Sequence, residues 1–294
     1  MSRPVFILGA GSVGASLGRA LAEAGVAITG AYCRDPDRAR RAASAIGSTA
    51  HSGELPAALG ETDVVLVAVP DPAITAVAER ALSADLVTER QVWLHCAGGL
   101  PAAALAPLEG RARGVGTLHP ALAFPQGRLT PVPEGASFAI EGDPSALAAA
   151  RELATALGGV AVEIPADRRA AYHASTVLAS NYLVAQLAQA RELLREVGLT
   201  GEQAEQLLIS LGSSALAAAA AAGIDASLTG PIRRGDVDTV ERHLQALSVK
   251  PEAARLYREL GRATLQMTRR RNKLSARQLT ALAELLEGSD DDGA

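Results

Sequence analysis

Aromatic side chains make up only 3% of this 294-residue chain, and lysine is scarcer still: of 28 basic residues, only Lys250 and Lys273 are lysines. With so few rings, the interior must be filled by small and branched side chains, and 62 alanines let helices pack closely. Two cysteines, Cys33 and Cys96, are too few for a disulfide framework or a cysteine-rich zinc site, so no metal is expected. A net charge of −4 leaves no broad positive footprint, so no nucleic-acid partner is expected. Uninterrupted apolar runs stop short of membrane length, because even Ala215 to Ala222 ends at Gly223 and Ile224-Asp225. Val5 to Leu8 runs straight into glycines, unlike a signal peptide. A cytoplasmic protein without a membrane partner is the expectation. The 48% hydrophobic and 20% charged content is that of an ordinary globular chain, long enough for two domains.

Short β-branched runs alternate with alanine-rich helical segments through the first half. The expected strands are Pro4 to Leu8, Val26 to Cys33, Asp63 to Val69, Gln91 to His95, Gly114 to Leu118, Ser137 to Ile140 and Val160 to Ile164. This βαβ rhythm implies an α/β, Rossmann-like, doubly wound and mostly parallel sheet over residues 1–165. From residue 166 the strand signal stops, and an all-helical domain is expected over 166–288 with an acidic, disordered tail over 289–294. Its helices should run Asp167 to Val197, Thr200 to Ala222, Asp236 to Leu247, Pro251 to about Arg270 and Ser275 to Leu286. Thr200-Gly-Glu-Gln203 and Ser275-Ala-Arg-Gln278 supply capping-box starts.

The first strand is followed by Gly9-Ala-Gly11-Ser12-Val13-Gly14 and then a helix. In such a turn the first glycine allows the tight bend, the second lets backbone approach a pyrophosphate, and the third lets helix and strand touch. The end of the second strand, where an acid commonly holds the ribose 2′-hydroxyl, reads Cys33-Arg34-Asp35. Arg34 would neutralise a 2′-phosphate, with Arg38 and Arg41 following, which favours NADP; the alternative makes Asp35 the ribose acid and the cofactor NAD.

Later strand ends belong on the same ligand edge. They bring Val69, Pro70 and Asp71, then Cys96, Ala97 and Gly98, to the cofactor, with Cys96 read as packing rather than as a nucleophile. His119, before Pro120, falls at another such end and is either functional or a structural cap; His95 reads as a satisfied core residue. His51 and His243 lie in polar stretches expected to be exposed. On the first long helix, His173, Thr176, Ser180 and Asn181 share one face. Histidine with asparagine suits carbonyl reduction, the imidazole donating a proton and the amide orienting substrate. In the loop Leu228 to Asp236, Thr229 offers a hydroxyl and Arg233 or Arg234 a carboxylate fork, while Asp236 caps the next helix.

The motifs GAGSVG, VAVPD, HCAGGLP, TLHPALAF, YHASTVLASNYL and LTGPIRRGD, in that order, resemble a bacterial family that joins a Rossmann-like domain to a helical domain of unassigned function. More distantly the chain is similar to ketopantoate reductase, pyrroline-5-carboxylate reductase and prephenate dehydrogenase. That resemblance implies an NAD(P)-dependent oxidoreductase acting on a small carboxylate-bearing substrate, first a ketopantoate-like 2-oxo acid, and a homodimer formed through the C-terminal helices. The alternatives are a pyrroline-type imine reductase or a non-catalytic NADP-binding module. His119-Pro120 would match the His-Pro of prephenate dehydrogenases, and Asn181 the asparagine that follows the catalytic lysine of ketopantoate reductases. No lysine occurs between residues 1 and 249, so the resemblance leaves the proton work to His173 or His119.

Overall fold

The computed structural model describes residues 3–270 and 274–287. Two compact units follow one another, Met1–Tyr182 and Leu183–Ala294. The change from strands to helices comes earlier, near residue 166, so the first unit carries one helix of the helical half. The acidic stretch Ser289 to Ala294 lies outside the described residues.

The first unit is built on eight strands: β1 (Val5–Leu8), β2 (Ile28–Tyr32), β3 (Ala50–His51), β4 (Val64–Val67), β5 (Val92–His95), β6 (Gly114–Pro120), β7 (Ser137–Gly142) and β8 (Val160–Glu163). Their order is β3-β2-β1-β4-β5-β6-β7-β8. Every neighbouring pair is parallel except β6 with β7. The chain order reverses between β1 and β4, the crevice where a doubly wound sheet takes its ligand. β1, β4 and β5 are buried along their whole length, as continuous apolar runs covered on both faces should be. Helices α1 (Ser12–Glu23), α2 (Pro36–Ile46), α3 (Ile74–Ser83) and α4 (Pro144–Ala156) accompany the sheet. Ile7, Leu17 and Leu21 pack in one core cluster, and Phe6, Val65 and Trp93 in another. Strand β3 was not expected: two residues are too short to show a period. Its His51, expected in an exposed stretch, is half-buried against Phe6, with ring centroids 5.7 Å apart.

One structural prediction is corrected beyond residue 166. The helix expected from Asp167 to Val197 is broken, giving α5 (Arg169–Ala179) and α6 (Asn181–Glu196). The break falls at Ser180, whose φ of −119° and ψ of −73° depart from helical values, although its N–H still bonds Thr176. Side-chain periodicity continues through such a backbone break, which is why the pattern hid it. The second unit continues with α7 (Gly201–Ala222), α8 (Ile224–Ser227), α9 (Pro231–Arg234), α10 (Val237–Leu247), α11 (Pro251–Arg269) and α12 (Ala276–Glu287). Ile232, Val240, Leu265 and Leu282 form its core. Both capping boxes form, Thr200 with Gln203 and Ser275 with Gln278, and Asp236 caps α10 through Thr239 N–H. Among the described residues α7 is one helix long and apolar enough by length and composition to cross a membrane, at a mean hydropathy of 1.2, although Ser210, Gly212, Ser213 and Ser214 interrupt its apolar run. That value comes from Leu207, Leu208, Ile209, Leu211 and Leu216 together with the run of alanines, and Glu202 and Glu205 sit in the first turns.

Gly14 shows how tightly α1 lies on the sheet: a Cβ there would stand 2.2 Å from the Gly9 carbonyl oxygen and 3.0 Å from Ile7. Backbone cannot yield as a side-chain tip can. Gly14→Ala should therefore cost about 1–3 kcal/mol of stability, read as a lower denaturant midpoint for the purified protein; an unchanged midpoint would contradict this packing.

Candidate functional site

Six parallel strands, β3 to β6 in sheet order, bring their carboxyl ends to one edge, and the predicted glycine-rich turn leads from β1 into α1 there. Gly9 has φ +109° and its would-be Cβ lies 2.6 Å from the Ala68 carbonyl carbon, so both backbone conformation and space demand glycine. Gly11 differs: its φ is −77° and a Cβ there would meet nothing within 4 Å. Neither packing nor strain accounts for glycine at this position, whereas the close approach of a diphosphate does. The turn therefore fits a dinucleotide.

A cleft of about 550 Å³ opens along this edge, lined by Gly9, Gly11, Ser12, Val13, Arg34, Arg38, Val69, Pro70, Asp71, Arg80, Cys96 and Ala97 among others. From the end of β2 to the end of β5 is three strand spacings, roughly 14 Å at ~4.8 Å each, on the scale of an extended dinucleotide. Gly14 lies beneath the turn and Gly98 just past Ala97. Asp35 is committed elsewhere: its carboxylate caps α2, accepting from the Asp37 and Arg38 N–H groups at 2.9 Å each. The Arg38 amide chiefly holds its pKa below the usual value. Arg34, Arg38 and Arg80 form no ion pair among the described residues, although other arginines do. Arg80 was not foreseen; one arginine on α3 carries no signal until the fold brings it to the cleft that Arg34 lines.

The segment between β6 and β7 crosses α1. Gly127 N–H donates to Ser12 Oγ at 3.0 Å and Thr130 N–H to Ser16 Oγ at 2.9 Å. Ser12 thus spends its hydroxyl on this segment while still lining the cleft. A neighbouring hollow of about 450 Å³ is lined by Gly11, Ser12, Arg38, Arg41 and Arg128.

Past Ala97 the edge becomes a histidine cluster. His95 Nδ1 accepts from Ala97 N–H at 3.2 Å, and Nε2 bonds the Pro101 carbonyl at 3.0 Å, so this ring is a satisfied structural residue. Burial pushes its pKa down. Cys96 is a packing residue, its thiol pushed up to about 12 by burial. His119, two residues beyond the β5–β6 pairing of His95 with Thr117, bonds through Nδ1 to the Tyr172 hydroxyl at 2.8 Å. His119 and His173 stand edge to face with ring centroids 5.9 Å apart. Both converge on Gly98: a Cβ there would lie 2.4 Å from His173 Nδ1 and 2.8 Å from His119 Nε2. Only a bare Cα lets both rings come so close.

Arg169, in the first turn of α5, is 1% exposed and donates through Nη2 to the Ala97 carbonyl at 2.8 Å. It lies 5.6 Å from the Tyr172 ring centroid. His119 is pushed down to about 4, first by burial, then by the positive charge of Arg169 and by His173 and His95. At neutral pH it is an uncharged ring, not the imidazolium expected to donate a proton.

The remaining expected residues disperse. Thr176 Oγ1 donates to the His173 carbonyl at 2.8 Å and lies 3.4 Å from Nδ1. Ser180 marks the helix break and Asn181 opens α6, exposed. In the second unit Thr229 precedes α9, Arg233 Nη1 donates to the Leu228 carbonyl at 3.1 Å, and Arg234 lies 4.0 Å from Asp236. Arg169 and Tyr172 were missed as site residues, because nothing local sets them apart from Arg168 and from other helical tyrosines.

Residues 136–264 match the family described as a domain of unknown function (DUF2520), and residues 4–91 match one described as NADP oxidoreductase, coenzyme F420-dependent. No curated protein matches the chain. Among solved structures it is similar to a Thermotoga maritima protein (25% identity, 92% of this chain and 100% of that one, TM-score 0.70). It is also similar to a Bacteroides fragilis protein provisionally named an NADP oxidoreductase (23% identity, 90% and 98%, TM-score 0.71). A third likeness, in fold, is to Plasmodium falciparum pyrroline carboxylate reductase, solved with NADP bound (10% identity, 96% and 98%, TM-score 0.61). The protein has a Rossmann-like NAD(P)-binding fold followed by a helical region, the architecture of several NAD(P) oxidoreductase families.

The depressed His119 makes stability pH-dependent. Above pH 6.5 it is neutral folded or unfolded. Below that the unfolded chain takes up a proton that the native ring refuses until about pH 4. Stability should therefore fall through this window, by up to about 3 kcal/mol from His119. His95 adds a contribution of the same sign. His119→Gln should flatten the acid limb of denaturation midpoint against pH; a limb as steep as in the parent would refute the assignment.

Proposed function

We propose that this protein is an NADP-dependent reductase of a small carboxylate-bearing ketone, a 2-oxo acid first of all. The observation that carries the cofactor choice is the trio Arg34, Arg38 and Arg80, which line the dinucleotide cleft without an ion-pair partner among the described residues. Three unneutralised guanidinium groups suit the two charges of a 2′-phosphate, and the acid that would take a bare ribose is occupied as a helix cap. Gly9, Gly11, Ser12 and Val13 would hold the diphosphate, and Cys96 with Ala97 would border the nicotinamide. Bound there, the nicotinamide would supply a hydride.

His119 Nε2 and His173 Nδ1, converging over Gly98, would hold the substrate oxygen between them. Ser180 and Asn181, at the end of the helix that carries His173, would orient the substrate. A cyclic imine is the second reading, favoured by the likeness in fold to pyrroline carboxylate reductase. The exposed apolar residues Leu207, Ile209, Leu211 and Leu216 of α7, with Val184 of α6, support a homodimer formed through these helices.

NADPH should quench or enhance protein-bound cofactor fluorescence with an affinity at least about tenfold tighter than NADH. Arg34→Ala should erase most of that difference, and Gly11→Ala should weaken both cofactors while leaving stability within about 1 kcal/mol. Equal affinity for both in the parent would remove the NADP reading. With cofactor bound, turnover of 2-oxo acids against cyclic imines decides between the two substrates. In light scattering the protein should have twice its chain mass, and Leu211→Glu should halve it; a monomeric parent would overturn the dimer.

A further inference from the structure

The charge in the histidine cluster does not balance. Arg169 is buried, yet its Nε and Nη1 have no hydrogen-bond partner. Glu141 of β7 is the acid whose charge it feels, but Glu141 Oε2 accepts from Ala102 N–H at 2.6 Å. The other groups facing this space are His95 from β5, His119 from β6, and Tyr172 and His173 from α5; Asp71 acts on His95 alone. A buried cation with two idle donors is costly unless a negative charge arrives beside it. Tyr172 stands next to it and bonds to His119 Nδ1.

We propose that Tyr172 is the acid of this site, delivering its phenolic proton through the His119 ring, and that Arg169 is the positioning residue that holds the phenolate left behind. This rests on the reductase reading above. His119 is neutral at working pH, so it has no spare proton to give. A neutral imidazole can nevertheless relay one. With Tyr172 O–H donating to Nδ1, the ring carries its hydrogen on Nε2, the atom that converges with His173 on Gly98. As negative charge develops on the substrate oxygen, the Nε2–H bond breaks and the oxygen takes that proton. Nδ1 takes the phenolic proton as the Tyr172 O–H bond breaks. The imidazole ends neutral in its other tautomer, the charge rests on the Tyr172 phenolate, whose ring centroid lies 5.6 Å from the Arg169 guanidinium, and water returns the proton afterwards. Burial raises the phenol pKa, and the Arg169 charge works against that rise. Such preorganised charge favours the state after transfer over the state before it. A relay of this kind needs no lysine in the first 249 residues, where the chain has none.

The test reads the protons directly and needs no cofactor. In the free protein, the near-ultraviolet absorbance that Tyr172→Phe removes identifies the Tyr172 titration. Arg169→Gln should move its midpoint up by about one to three pH units, and Arg169→Lys should restore most of it. An unmoved midpoint overturns the role of Arg169. Should Arg169→Gln fail to fold, Tyr172→Phe still decides, since it should shift the His119 Nδ1 nitrogen resonance; no shift refutes the relay. In turnover, Tyr172→Phe should lower kcat by about 100-fold or more with NADPH affinity unchanged, and full kcat overturns the proposal. If the parent turns over neither ketones nor imines, the reductase reading fails separately, while the two titrations still support or refute the proton coupling.

Discussion

The parallel run of strands from β3 to β6 governs everything at the site, because it forces their carboxyl ends onto one edge. Backbone groups there cannot complete a ladder, so they are free to meet phosphates, side chains or a neighbouring helix. Glycine sits where that edge must be approached closely: Gly9 against the end of β4, Gly98 beneath two histidine rings. Shifted by one strand, His119 would no longer lie beside the end of β5, and no cluster would form.

Along this edge the protein separates two kinds of positive charge. The arginines of the cleft, Arg34, Arg38 and Arg80, are exposed. Arg169 is buried, and its charge adds to the burial that depresses His119 and His95 and opposes the rise of the Tyr172 phenol. In water the same charge would be screened to little effect; the dry setting gives it leverage. A chain almost without lysine relies on a cation that cannot lose its proton, so it holds charge where a lysine would shift to neutral.

Much of the first unit was legible. Continuous β-branched runs ending in glycine or proline mark buried parallel strands, and GAGSVG after the first of them marks the turn. The helix caps Thr200, Asp236 and Ser275 could be read for the same reason: a cap involves neighbours a few residues apart. What escaped notice depends on distant partners. The break at Ser180 left the polar periodicity untouched. Arg80 and Arg169 look like ordinary helical arginines until the fold brings one to the cleft that Arg34 lines and the other to the Ala97 carbonyl.

The sequence by itself determined the alternation of strands and helices, the position of the glycine-rich turn and the types of side chain that could reach the sheet edge, since these follow from local periodicity and backbone freedom. Only the tertiary structure decided which of them act together. It paired His119 with Tyr172 across 53 residues and tied Arg169 to the Ala97 carbonyl across 72. It also turned His119 from an expected acid into a neutral ring. Burial and nearby charge set a proton's affinity, and both are properties of a folded neighbourhood that no stretch of sequence contains.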